Sequence, residues 1–99
     1  MIRHTVAFKL KHPPDSEPER AFLRAAKVLV FIPTVRHFEW LRQVGTKNNF
    51  DFGFSMEFAT QSDYEAYNMH PEHINFVETR WKPEVVGFME LDYVPFEPV

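Results

Sequence analysis

Residues 2 to 10 alternate: Ile2, His4, Val6, Phe8 and Leu10 fall on one side, Arg3, Thr5, Ala7 and Lys9 on the other. This is the period-two pattern of a strand with one buried face. His12-Pro13-Pro14-Asp15 ends it, because proline has no N–H to give a ladder. Ser16-Glu17-Pro18-Glu19 has the spacing of a capping box, and from Pro18 to Ile32 the residues Phe22, Ala25, Ala26, Leu29 and Ile32 recur at threes and fours. One helix is predicted there, stopped by Pro33. Residues 34 to 44 are rich in β-branched and aromatic side chains, with Phe38 and Trp40 on a common face, and predict a strand. A polar loop, Gly45 to Asp51, leads to the clearest strand, in which Phe52, Phe54, Met56 and Phe58 alternate with Gly53, Ser55, Glu57 and Ala59. Ser62-Asp63-Tyr64-Glu65 reads as a second capping box, opening a helix through Tyr67 and Met69. Pro71 must interrupt it and suits the first position of a new segment, predicted to run to about Arg80 and to end at Lys82-Pro83. A last strand is expected from Val85 to Val94, then a short tail marked by Pro95 and Pro98.

The order is strand, helix, strand, strand, broken helix, strand. It predicts an α+β, ferredoxin-like βαββαβ fold: a four-stranded antiparallel sheet with helices on one face and the other face open. At 99 residues one domain over 1–99 is expected. Its 11 Phe, 2 Trp and 3 Tyr are a heavy apolar load for so small a chain. An open apolar sheet face asks for a second copy, so a homodimer is expected, with aromatics on both sheet faces.

Composition narrows the chemistry. The absence of Cys removes disulfides, thiolate nucleophiles and thiolate-ligated metals together. A net charge of -3 is the wrong sign for a nucleic-acid partner. No run approaches the ~20 apolar residues of a membrane span, and the N-terminus shows no apolar leader, so a soluble cytoplasmic protein is expected. Gly45, Gly53 and Gly87 are too scattered for a phosphate or dinucleotide loop, so no cofactor is expected. His70 and His73 are spaced for chelation from one helical face, but Pro71 lies between them and no third ligand is near, so no metal is expected either. Arg36, Trp40 and Arg42 on one stripe read as an edge-strand or dimer contact rather than a guanidinium-aromatic ligand surface. Phe8, Phe52, Phe54, Phe58 and Phe88 read as core and barrel lining.

Met1-Ile-Arg-His-Thr-Val-Ala-Phe-Lys-Leu-Lys11, Ile32-Pro33-Thr34-Val35, Tyr67-Asn68-Met69-His70-Pro71-Glu72-His73 and Leu91-Asp92-Tyr93 together resemble the stress responsive A/B barrel (Dabb) domain over nearly the whole chain. The Tyr-x-x-His-Pro-x-His element is the most specific part of the match. The resemblance implies a dimeric α+β barrel, made when the open faces of two ferredoxin-like sheets pack together. The family includes plant stress proteins and a plant polyketide cyclase, whose catalytic histidine falls on His73, its tyrosine on Tyr67 and its first-strand histidine on His4. A further pocket histidine of that enzyme is replaced by Phe52, which makes the pocket more apolar. Some members hold a cation on backbone carbonyls, at positions that correspond to Leu29, Ile32 and Val35.

The expected function is the binding of a small apolar or aromatic molecule, with His4, Phe52 and His70 as substrate-binding positions. The alternatives are a cofactor-independent, cyclase-like acid-base enzyme with His73 as general base and Tyr67 positioning or stabilising an enolate, a monooxygenase-like dimeric barrel, and a non-catalytic stress protein. Set against these chemical roles, His70 caps its helix, His73 bonds a neighbour such as Asp92, Tyr67 is core, and His4 is a satisfied buried histidine.

Overall fold

A computed structural model describes residues 1–99. Strands β1 (Ile2–Leu10), β2 (Arg36–Arg42), β3 (Phe52–Phe58) and β4 (Val85–Tyr93) form one antiparallel sheet in the order β2-β3-β1-β4. The sheet is ferredoxin-like, as the element order predicts. In its register Phe8 lies opposite both Phe52 and Phe88, and His4 opposite both Met56 and Asp92. The even-numbered residues of β1 and β3 therefore share one face, and every one of them is buried.

Helix α1 (Glu17–Ala25) begins where the sequence places it, with Ser16 Oγ accepting the Glu19 N–H at 3.3 Å. The reciprocal half of the box differs: the Glu19 carboxylate takes the N–H of Asp15, a residue in the left-handed region at φ 62°. The helix does not continue to Ile32 as one α-helix. A 3₁₀ helix takes over from Ala26 to Phe31, because Ala26, Leu29 and Ile32 are each three apart and three residues per turn stacks them on one buried face.

Helix α2 (Gln61–Met69) is capped two residues earlier than the Ser62 box predicts. Thr60 is the cap, and its Oγ1 accepts the Asp63 N–H at 3.1 Å. After the break, α3 (Pro71–Phe76) runs into a π-helical turn (Val77–Trp81) and a short α4 (Lys82–Glu84), which joins β4 directly. The helix thus outlasts its predicted end near Arg80. Pro83 has no N–H to offer Thr79, and the wider turn just before it, with the Lys82 N–H reaching Val77 O, absorbs the mismatch.

Strand β2 is shorter than predicted and carries a bulge between Arg36 and Glu39, with His37 at φ 52°. Phe38 and Trp40 do meet, their ring centroids 4.8 Å apart. The bulge shifts Arg36 opposite Glu57, so Arg36 leaves the face of Trp40 and Arg42 and the expected stripe is broken. Arg42 instead lies over the Phe52 ring at 5.1 Å.

The core sits between sheet and helices. Phe8, fully buried, has Phe54 at 4.7 Å, Trp81 at 5.1 Å, Phe22 at 5.8 Å and Phe52 at 6.0 Å between ring centroids. Aromatics do not divide over both faces as expected. The open face is lined by Leu41, Met89, Leu91 and Tyr93, each about half exposed, with Tyr93 the one aromatic on its strands. No helix is long and apolar enough to cross a membrane.

Candidate functional site

A pocket of about 410 Å³ opens between the inner face of β1, β3 and β4 and the broken helix. Val6, Leu29, Phe54, Met56, Phe76 and Trp81 supply apolar wall, and His4, Tyr64, Tyr67, Asn68, His73 and Glu90 supply polar groups. The break at Pro71 shapes it. In an unbroken helix the Asn68 carbonyl would accept the N–H of Glu72, but that N–H goes to His70 Nδ1 at 3.1 Å. The freed carbonyl accepts a hydrogen bond from His73 Nδ1 at 3.2 Å.

That contact sets the chemistry of His73. With Nδ1 carrying the proton, Nε2 keeps its lone pair. Burial lowers the pKa from the ordinary 6.5 and outweighs the Asn68 carbonyl, which pulls the other way. His73 is therefore a neutral imidazole near pH 7. Its ring lies 4.3 Å from that of Tyr67, between centroids. Tyr67 is buried among Phe58, Tyr64 and His4, and burial pushes its pKa upward, so it keeps its proton and acts as a donor.

On the opposite wall His4, almost fully buried, donates from Nδ1 to Asp92 Oδ1 at 2.5 Å. Tyr64 donates its hydroxyl proton to Asp92 Oδ2 at 2.8 Å, and its oxygen lies 2.9 Å from His4 Nδ1. Asp92 thus serves His4 and Tyr64 rather than His73. The two alternatives for His4 merge, since it is satisfied at Nδ1 and also lines the pocket.

Of the residues singled out from sequence, the structure brings His4, Tyr67 and His73 to this pocket. It does not bring His70 or Phe52. His70 caps α3, and Phe52 is buried farther along β3, beside Phe8 and Arg42. Asn68, Tyr64 and Glu90 are not singled out from the sequence, and Asp92 is paired there with His73 rather than with His4 and Tyr64. Tyr64 had a readable signal, three residues before Tyr67 on one helix face, whereas Asp92 is placed only by the β1–β4 register. Backbone carbonyls of Leu29 and Ile32 accept the N–H groups of Ile32 and Val35. No three His, Cys, Asp or Glu side chains converge to hold a metal ion.

Sheet order, helix placement and an inner-face pocket define an α+β protein of the ferredoxin-like class. The chain matches the profile of the Stress responsive A/B Barrel Domain (Dabb) over residues 2–95, and it belongs to that family. A Dabb family protein with a ferredoxin-like fold from Mesorhizobium loti is 55% identical, with a TM-score of 0.95 over 97% of both chains. A dimeric ferredoxin-like protein from Thermobifida fusca is 19% identical, with a TM-score of 0.78 over 95% of this chain and 90% of its own. Hydroxynitrile lyase from Passiflora edulis is 17% identical, with a TM-score of 0.85 over 99% and 95% of the two chains. A stress-response A/B barrel domain-containing protein from Arabidopsis thaliana is 23% identical over 95% of this chain, which spans only 36% of that protein's length.

Proposed function

We propose that residues 1–99 form one domain that binds a small, largely apolar or aromatic molecule bearing oxygen, in the pocket between sheet and broken helix. The observation that carries this is the convergence of His4, Tyr67 and His73 in a mostly apolar cavity of about 410 Å³, a size and lining typical of small-ligand sites. A cytoplasmic setting belongs to the same reading, supported by a composition with no cysteine for an oxidising compartment to use. So does a homodimer. The isolated chain exposes 6598 Å², whereas a monomer of this mass averages about 5,900 Å². The excess is of the order of one side of a standard interface, about 800 Å². The Thermobifida protein of the same fold is described as dimeric.

A second reading is favoured by the tautomer of His73. Held at Nδ1 by the Asn68 carbonyl, the neutral ring offers Nε2 as a base. In this mechanism Nε2 takes a proton from carbon between two carbonyls, and the Tyr67 hydroxyl donates to the enolate oxygen that develops. The enolate carbon adds to a second carbonyl of the same ligand, and the imidazolium returns its proton to the new alkoxide, so proton and charge balance. Hydroxynitrile lyase shows that this fold supports an enzyme.

Hydrogen-deuterium exchange at the acidic carbon of a simple β-keto ester, followed by NMR, tests this step without the natural substrate. We expect acceleration by the protein, lost in His73→Ala and reduced by about 10²-fold or more in Tyr67→Phe. Equal acceleration in both variants removes the acid-base reading and leaves the binding one.

A further inference from the structure

Four side chains meet at the β4 edge of the pocket in an arrangement that the mechanism above does not use. Tyr64 is held by its ring, which stacks on Phe58 with centroids 5.0 Å apart and planes 6° from parallel. Its centroid is also 5.0 Å from that of His4. The hydroxyl has one proton, and geometry sends it to Asp92 Oδ2. The phenolic oxygen facing His4 Nδ1 can then only accept. Asp92 Oδ1, on the same nitrogen, can also only accept. Both neighbours of Nδ1 therefore require a proton there. A single acceptor would leave the tautomer to compete with other arrangements, but two converging acceptors remove the alternative. Nε2 forms no hydrogen bond to protein, and it belongs to a side chain that lines the cavity.

We propose that Tyr64 and Asp92 are positioning residues for His4: they clamp its ring as the Nδ1–H tautomer and leave Nε2 to the pocket as a hydrogen-bond acceptor, so that the site selects a ring bearing a hydroxyl. The proposal rests on the reading of this cavity as a ligand site and deepens it. Beside the Asn68, Lys82 and Glu90 side chains that also line the pocket, His4 and His73 then each offer an Nε2 acceptor and Tyr67 a donor. A hydroxyl on the ligand then satisfies an imidazole that an ether or hydrocarbon leaves unpaired, and an unpaired buried polar group is costly.

The clamp is tested by long-range ¹H–¹⁵N correlation of the His4 ring at about pH 8, where an ordinary histidine is neutral. The expected spectrum has a protonated Nδ1 and a bare Nε2. Tyr64→Phe keeps the stack on Phe58 and removes only the hydroxyl, and it shifts both nitrogens partway toward the Nε2–H form; Asp92→Ala shifts them further. A protonated, donor-type Nε2 in the unmodified protein overturns the proposal. So does a His4 spectrum that neither variant alters. If Asp92→Ala does not fold, Tyr64→Phe alone decides.

Selectivity is read with phenol and its methyl ether, anisole, titrated separately. Phenol is expected to bind about fivefold more tightly, the ratio of one hydrogen bond, and both variants are expected to bring that ratio toward one. An undiminished preference in both variants overturns the link between clamp and selectivity. A protein that binds neither probe while His4 keeps its bare Nε2 defeats the reading of the cavity as a small-aromatic site and upholds the clamp.

Discussion

His73 shows how one residue's surroundings set its chemistry. Burial lowers its pKa below the ordinary 6.5, so between that value and its folded pKa the unfolded chain holds more protons than the folded one. Stability therefore declines as the pH falls through this interval, and above 6.5 both states are neutral and His73 contributes no slope. Urea midpoints measured across mildly acidic pH are expected to fall less steeply in His73→Gln than in the unmodified protein; parallel slopes would contradict a buried neutral ring. Three of the pocket's polar groups were legible at this scale, since His4, Tyr67 and His73 stand out as polar groups on apolar elements. Their partners were not legible. Asp92 looked available to His73, yet the register of β1 and β4 sets it opposite His4.

Among the elements, strands were easier to read than helix ends. A half-buried strand repeats every two residues, and a single pass along β1 or β3 exposes it. Caps depend on one hydrogen bond, and the Ser62 box expected to open α2 lies two residues past the Thr60 that the structure uses. Only Thr60 accepts an N–H at the helix start, so Thr60→Ala is expected to cost about 1 kcal/mol. Ser62→Ala should change stability by less than about 0.5 kcal/mol. Urea denaturation of the two variants distinguishes them, and equal losses would put the cap elsewhere. The 3₁₀ segment left a trace in the strict threes of Ala26, Leu29 and Ile32, a spacing that an α-helical reading also tolerates. The β2 bulge left none, because an inserted residue changes pairing and not composition.

Over the whole molecule, one sheet with helices on a single face makes a slab 43 × 34 × 18 Å. Its radius of gyration is 14.0 Å, above the roughly 12.6 Å usual for this length. A second copy on the open face would thicken the slab and cover Leu41, Met89 and Leu91. Leu91→Asp is expected to release monomers that remain folded, since Leu91 is about half exposed in the isolated chain. Light scattering with circular dichroism checks this. A variant of unchanged mass would place the interface on another surface.

The sequence by itself determined which stretches are helical and which extended, their order, the buried faces of β1 and β3 and the break at Pro71, because periodicity and proline geometry act within a few residues. Tertiary structure alone decided that Asp92 meets His4 across 88 residues of chain and that Arg36 turns from the face of Trp40. Both depend on strand register, and register forms only when distant segments close around a common core.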